Sequence, residues 1–258
     1  MTQRQLAVSG QFYPNEKKEL VDTINQYKQI NHNINFTPRA IISPHAGYIY
    51  SGFTANQAFC QIPKEIKTIV VIGPSHKFRF DGISISNYDS YPTPQGSLTI
   101  DTQLIKELSN KFNFISFIDQ VHCEHSTETQ MPFIRYHLPT VQVVEMIYSN
   151  IEYQDISKLI ATVLENKNNF IVISTDLSHF HTKTKAKELD DICIDAISTL
   201  NIKKFDNGCE ACGLTGVKAI VDYANKSNYK VEKLDYRTSA DITNDDSSVV
   251  GYCSFVFG

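Results

Sequence analysis

The chain has 258 residues, of which 41% are hydrophobic and 20% are charged, and its formal net charge is −4. A chain of this length and apolar content can bury a large core, so we expect a single domain over residues 1–258. The acidic balance and the five scattered arginines argue against the basic surface that is typical of nucleic-acid-binding proteins.

Neither a signal peptide nor a membrane span is predicted. The first residues contain no apolar stretch of signal-peptide length, and no segment approaches the roughly 18 apolar residues of a spanning helix. We therefore expect a cytoplasmic protein that does not associate with membranes. In such a reducing compartment all six cysteines are expected to be free thiols. They are Cys60, Cys123, Cys193, Cys209, Cys212 and Cys253.

Short apolar runs alternate with helical patterns along the chain. Strands are predicted at 40–42, 68–72, 82–86, 141–147, 170–173, 229–236 and 249–257. Helices are predicted at 52–60, 101–111, 154–166, 183–200 and 214–225. This alternation favours an α/β fold with a mostly parallel central sheet flanked by helices. The closing strands could run antiparallel, because no helix follows the last one.

Residues 87–96 contain two prolines and a glycine, which predicts an ordered loop instead of a regular element. A loop of this length beside a site is often a lid or a substrate contact. A simple surface connection is an equally good interpretation of the same residues.

Three histidines each follow a predicted buried strand: His45, His76 and His179. In an open α/β sheet the carboxyl ends of the strands form the crevice in which ligands bind. A single histidine after a strand is more often a hydrogen-bonded packing residue. Two of the same design, Pro-His and Pro-Ser-His, followed by a third favour a site for a metal ion or for acid/base chemistry.

Asp176 precedes His179 by three residues in the turn after a predicted strand. A carboxylate in this position can fix the tautomer of the imidazole and raise its basicity. The alternative is that Asp176 caps a short helical turn and His179 is an exposed neighbour.

His125 lies in a segment that is rich in ionisable groups. Ser126 or Thr127 could open a helix there, with a glutamate or glutamine one turn later as in a capping box. The imidazole of His125 would then stand just outside a helix N-terminus, where the dipole lowers its pKa. His122 has no such context and is expected at the surface.

Cys209 and Cys212 have C-x-x-C spacing, and a single pair excludes a four-cysteine zinc site. A redox pair remains open. Cys212 could instead open the helix predicted at 214–225, where its thiolate would be stabilised and could bind a metal ion. From the pattern alone, a buried, inert thiol is the slightly better interpretation.

Several motifs follow one another from about residue 9 to about residue 253. They are SGQFYP (9–14), SPHAGYIYSG (43–52), GPSH (73–76), TPQG (93–96), EHSTE (124–128), MPF (131–133), STDLSH (174–179), CG (212–213) and SSVVGY (247–252). With these motifs in this order, the chain resembles the Memo family, the B component of the AmmeMemoRadiSam group.

The resemblance implies a fold similar to that of the class III extradiol dioxygenases, which are non-haem iron enzymes. It implies a metal ion bound by His45, His76 and Cys212, with Asp176 and His179 beside it. The dioxygenases use a carboxylate where the Memo-like position is a thiol, and a softer thiolate admits copper as well as iron. Fe(II) is the expected cofactor, and copper, zinc or no metal are the alternatives.

Four residues are predicted to transfer protons near this metal: His179, Asp176, His125 and Glu128. Phe12, Tyr48 and Tyr50 would line the cleft, although core packing is the commonest fate of aromatic residues.

The resemblance therefore implies a metal-dependent, dioxygenase-like oxidoreductase of unknown substrate, acting with a radical SAM enzyme and an AMMECR1-like partner. The alternative is a non-catalytic binding module that uses the same cleft for a peptide or a phosphorylated ligand. The scarcity of arginine argues against that alternative, since phosphate recognition usually recruits arginine. A zinc hydrolase is a third interpretation.

Overall fold

Apolar, β-branched runs form the central strands in a computed structural model that describes residues 4–258. The strands are β1 (Ala40–Ser43), β2 (Thr68–Pro74), β3 (Ile83–Ile85), β4 (Ser90–Tyr91), β5 (Leu98–Ile100), β6 (Ile115–Ser116), β7 (Gln142–Tyr148), β8 (Asn169–Ser174), β9 (His179–His181), β10 (Val231–Thr238) and β11 (Val249–Phe257). The helices are α1 (Lys17–Gln26), α2 (Tyr48–Phe59), α3 (Thr102–Lys111), α4 (His125–Glu128), α5 (Met131–His137), α6 (Tyr153–Leu164), α7 (Lys183–Ser198), α8 (Leu214–Lys226) and α9 (Ala240–Thr243). Two 3₁₀ turns lie at Asp119–His122 and Ile202–Asn207.

Eight strands of the mixed sheet follow the order β10-β11-β1-β8-β2-β7-β3-β6, while β5 pairs with β4 and β7, and β9 pairs with β11. The four central strands β1, β8, β2 and β7 run parallel, and every residue of β1, β2 and β8 is buried. β10 and β11 run antiparallel on one side and β3 runs antiparallel to β7 on the other. The predicted class, a single α/β domain with a mostly parallel central sheet flanked by helices, is confirmed, and so are the antiparallel closing strands.

Amphipathic helices cover this sheet because each buries one apolar face. α6 buries residues such as Ile156, Leu159 and Ile160, and α8 lies beside it with Val217 and Ile220 buried. None of the helices between residues 4 and 258 combines the length and apolar character that crossing a bilayer requires.

Several short elements were not predicted. α1 buries only Leu20 and Ile24, so its apolar pattern is too sparse to indicate a helix. α5 is too short to show a period. A helix was expected where α4 lies, but it begins at His125 and not at Ser126 or Thr127, and α2 begins four residues before the predicted start. Residues 87–96 are mostly loop, as predicted, but they contain the two-residue strand β4. The ring of Tyr91 in this loop is buried and packs against the Arg4 guanidinium.

The prediction that all six cysteines are free thiols is wrong for two of them. Cys193, on α7, and Cys209, in the loop before α8, form a disulfide with Cα atoms 4.9 Å apart. Cys60, Cys123, Cys212 and Cys253 are free. The compartment argument concerns redox conditions, whereas the pairing arises because the chain folds back and places this loop against α7.

Glu128, which was predicted to act in proton transfer, anchors the N-terminal segment. Its carboxylate accepts hydrogen bonds from the Arg4 guanidinium, from the backbone amides of Ala7 and Val8 and from the hydroxyl of Tyr13. Both Arg4 and Glu128 are buried, so each charge needs the other to offset its loss of hydration.

A second buried carboxylate, Glu145 on β7, lies beside this pair. Its Oε1 is 3.2 Å from Arg4 Nε, and its Oε2 is 2.7 Å from His122 Nδ1. Burial disfavours the charged guanidinium, but the carboxylates of Glu145 and Glu128 outweigh that cost and raise the pKa of Arg4 above its ordinary value.

The prediction that His122 lies at the surface is wrong. Its side chain is 1% exposed, and its Nε2 lies 2.9 Å from the hydroxyl of Ser84. The 3₁₀ turn at Asp119–His122 folds the imidazole onto β3 and β7, where the buried Glu145 needs a hydrogen-bond donor.

Replacing Arg4 with methionine should destabilise the protein strongly, because Glu128 and Glu145 would be left as buried, uncompensated charges. We expect the free energy of unfolding in urea to fall by about 3–5 kcal/mol. Lys18→Met is the matched control, since Lys18 pairs with Asp22 at an exposed site and its loss should cause no measurable change. Equal, small effects of the two substitutions would contradict the role given to Arg4.

Candidate metal centre

Three neighbouring parallel strands deliver the first residues of the candidate site. His45 follows β1 by two residues, Asp176 follows β8 by two, and His76 follows β2 by two. The strands lie in the order β1-β8-β2, so all three segments meet at the carboxyl edge of the sheet. His125, the first residue of α4, joins them from a separate part of the chain.

His45, His76 and His125 form a histidine cluster that could hold a metal ion. One ring nitrogen from each lies within 4.8 Å of the others. The ring centroids are 5.2 Å apart for His45 and His76, 5.2 Å for His45 and His125, and 4.5 Å for His76 and His125. His45 is buried, whereas His76 is exposed, so the cluster is open to solvent on one side.

A single carboxylate organises two of these rings. Glu124 Oε1 lies 3.1 Å from His76 Nδ1 and 2.8 Å from His125 Nδ1. Burial opposes the ionisation of Glu124, but the hydrogen bonds from His125 and His76 outweigh it and hold the pKa well below its usual value. Because an ionised carboxylate can only accept, both Nδ1 atoms carry a proton, which leaves Nε2 as the atom of each ring that could bind a metal ion.

Glu124 also binds the backbone of both histidine segments. Its Oε2 accepts from the amide of His76 at 2.7 Å, and its Oε1 accepts from the amides of His125 and Ser126 at 2.9 and 3.3 Å. Glu124 is therefore the N-cap of α4, and the expectation that Ser126 or Thr127 caps this helix is wrong. A glutamate directly before His125 was the only sequence signal for this role.

The third ring is fixed by a serine. Ser174, the last residue of β8, donates its hydroxyl proton to the carbonyl of Ser126. It therefore accepts from His45 Nδ1, which lies 2.8 Å away, and leaves Nε2 of His45 unprotonated. Burial and the neighbouring rings of His125 and His76 lower the pKa of His45 well below its ordinary value. With Nδ1 of each ring directed at Glu124 or Ser174, the three Nε2 atoms are the ones that could bind a metal ion.

Cys212, a predicted ligand, lies at the edge of this cluster. Its Sγ is 3.3 Å from His45 Nε2 and accepts a hydrogen bond from the amide of Asp176 at 3.2 Å. Burial and the charge of Asp176 raise the pKa of Cys212 to about 12. With only protein groups around it the neutral thiol is favoured, contrary to the stabilised thiolate expected before a helix.

Asp176 is held against His45 instead of against His179. Its Oδ1 accepts from the amide of His45 at 2.8 Å, and its Oδ2 lies 3.9 Å from His45 Nε2. Within residues 4–258 no hydrogen bond joins Asp176 to His179, which lies in β9 beside Val250. No helix begins at Asp176, so the capping alternative is not observed either. Proton transfer by this pair stays a prediction.

Of the predicted aromatic wall, Phe12 reaches the cluster, with its ring centroid 5.1 Å from that of His125. Tyr48 packs in the core, where its ring stacks on Phe133 at 4.5 Å and its hydroxyl donates to a backbone carbonyl. Tyr50 is exposed on the first turn of α2.

Comparison with known proteins reveals similarity over nearly the whole chain. A family model described as "Memo-like protein" matches residues 4–256. A "MEMO1 family protein" of Aquifex aeolicus is 33% identical, with 100% of both chains covered. Proteins with the same family description from Thermoplasma acidophilum and Nitrosopumilus maritimus are each 31% identical, and the alignments cover 98% of this chain and 98% and 99% of those proteins.

Replacing Glu124 with glutamine should destabilise the fold in a pH-dependent way. The variant keeps the shape but loses the charge that binds two imidazoles, so we expect a loss of about 1.5–3 kcal/mol near pH 7. Because the folded-state pKa of Glu124 is lowered, its contribution is complete above the ordinary value of 4.5 and is lost as the pH falls below it.

Urea unfolding of both proteins between pH 7 and pH 3 measures this difference. The gap between wild type and variant should narrow as the pH falls through and below 4.5. A gap that stays constant over this range would show that the charge of Glu124 does not stabilise the fold.

Proposed function

Because the chain belongs to the Memo family, we propose that it is a metal-dependent protein whose cation is bound by His45, His76 and His125. The observation that carries the proposal is the convergence of three ring nitrogens within 4.8 Å. Hydrogen bonds from Nδ1 of each ring to Glu124 or Ser174 support it, because they leave Nε2 available to a cation.

Cys212 is proposed as a further ligand. The family resemblance implies His45, His76 and Cys212 as the donor set, and the 3.3 Å separation between Cys212 Sγ and His45 Nε2 supports the inclusion of the thiol. Imidazole ligands suit iron, copper and zinc, and a thiolate shifts the preference toward softer ions. We propose Fe(II) as the native ion on the strength of the resemblance, with copper and zinc as the alternatives.

The proposed reaction class is a dioxygenase-like oxidation of a small molecule. A redox-active cation would supply electron transfer and open coordination positions at this site. The protein's own groups orient the rings through Glu124 and keep His45 neutral. His179 and Asp176 are proposed to move protons beside the bound ion, since general acid/base groups typically contribute about 10²–10⁴-fold to a rate.

The partners and the location are proposed from the resemblance alone. They are a radical SAM enzyme and an AMMECR1-like protein, in the cytoplasm. A phosphorylated ligand is the less favoured occupant, because the carboxylates of Glu124 and Asp176 lie against the histidine cluster. Carboxylates repel phosphate, whereas they favour a bound cation.

Metal analysis of protein purified anaerobically without chelator tests this proposal. We expect wild type to retain about one equivalent of a transition metal ion, and His45→Ala and His125→Ala to lose it while the circular dichroism spectrum is unchanged. His181→Ala is the matched control, since that imidazole pairs with Glu210 at an exposed site.

Cys212→Ser separates the two ligand sets. With Co²⁺ as the probe, a thiolate-to-metal absorption band in wild type that disappears in Cys212→Ser would support the thiol as a ligand. Retention of full metal content by both His45→Ala and His125→Ala would contradict the proposal.

A further inference from the structure

Cys209, which forms a disulfide with Cys193, lies three residues before Cys212 in the sequence. Cys209 and Cys212 both belong to the Cys212 loop (residues 208–213), which joins the second 3₁₀ turn to α8. Cys209 is bonded to Cys193 on α7, and the other end of the loop is held by Asp176, whose carbonyl accepts from the amide of Cys212 at 3.2 Å.

α7 also holds the segment that contacts this loop. Asp190 Oδ1 accepts a hydrogen bond from the amide of Ser178 at 2.9 Å. Asp190 and Cys193 are three residues apart and so lie on the same face of the helix. One face of α7 thus holds two segments of the site. It binds Ser178, two residues after Asp176, and Cys209, three residues before Cys212. Asp176 and Cys212 in turn hydrogen-bond to each other.

Apart from the disulfide, this end of the loop is held by a hydrogen bond from the amide of Cys209 to the carbonyl of Phe205 at 3.2 Å and by the buried side chain of Ala211. Glu210 pairs with His181 at 2.7 Å, but both side chains are well exposed, and exposed pairs add little stability. The loop begins at Gly208, whose φ of +119° lies in the left-handed region. Residues 206–208 and 210, on either side of Cys209, are exposed. Local opening of this surface segment would reach Cys209, which is 8% exposed.

We propose that the disulfide is a redox-sensitive clasp that holds Cys212 beside His45. A dithiol reductant would give two electrons and two protons to the disulfide. The S–S bond of the protein would break, two S–H bonds would form, and the reductant would become a cyclic disulfide. The loop is then free to open, and Cys212, which is only partly exposed while the disulfide is intact, becomes fully accessible and loses its fixed position. The effect on Cys212 stands by itself, whereas a consequence for metal retention rests on the proposed function.

Alkylation of the metal-free, full-length protein tests the clasp. Protein treated with EDTA is divided, one half is reduced with dithiothreitol and desalted anaerobically, and both halves are labelled with iodoacetamide for peptide mass spectrometry. We expect Cys212 to react at least about tenfold faster after reduction, since a crosslink that closes a loop of this length suppresses its opening by on the order of a hundredfold.

The chain offers internal references. Cys123 is exposed and should react quickly in both halves, whereas Cys253 is buried and should stay protected in both. Cys209→Ser should reproduce the fast labelling of Cys212 without any reductant, and Cys60→Ser should not.

Three outcomes would overturn the clasp. They are labelling of Cys193 and Cys209 before reduction, an unchanged rate at Cys212 once both are reduced, and simultaneous labelling of Cys253, which would indicate global unfolding.

Competition for Co²⁺ with a chromophoric chelator then tests whether the disulfide affects metal binding. Weaker Co²⁺ binding after reduction would support the coupling between clasp and site. Faster labelling of Cys212 in a protein that binds no Co²⁺ in either state would support the clasp and contradict the proposed function.

Discussion

The candidate site depends on the buried carboxylate of Glu124. A charge in this position is tolerated only because donors surround it, and here the donors are the two ring Nδ1 atoms and the backbone amides of the histidine segments. The same contacts fix the tautomers of His76 and His125. The same Nδ1–carboxylate hydrogen bonds therefore stabilise the buried charge of Glu124 and direct Nε2 of both rings toward a possible ligand.

The buried network beneath the site holds the turn that carries Glu124 in place. Arg4 Nη2 donates to the carbonyl of Glu124 at 3.1 Å, while Nη1 of the same guanidinium binds Glu128 at the end of α4. A four-residue helix has almost no stability of its own. The N-terminal segment, fixed by Glu128 and packed on His125 through Phe12, supplies the contacts that this helix lacks.

The sequence could predict elements that have a local pattern. The buried strands before His45 and His76 are apolar runs ended by proline. Because these strands are parallel and lie close together in the sheet, the two histidines meet at its carboxyl edge. Glu124 could not be assigned in this way, since a helix as short as α4 shows no period. His122 was misplaced because its partner, Glu145, lies in an apolar strand 23 residues away. The same limit applies to Cys193 and Cys209, whose pairing depends on tertiary packing.

The balance of charge connects this architecture to the chemistry of the site. Neutral imidazole ligands would leave the charge of a bound cation uncompensated, so nearby carboxylates, together with the proposed Cys212 thiolate, would have to supply the compensation. Glu124 supplies it to two rings through Nδ1, and Asp176 lies 3.9 Å from Nε2 of His45. This negative charge attracts a cation and repels phosphate. An anion held directly by the histidines would have to overcome both carboxylates at short range, which is why the geometry favours a metal centre over a phosphate site.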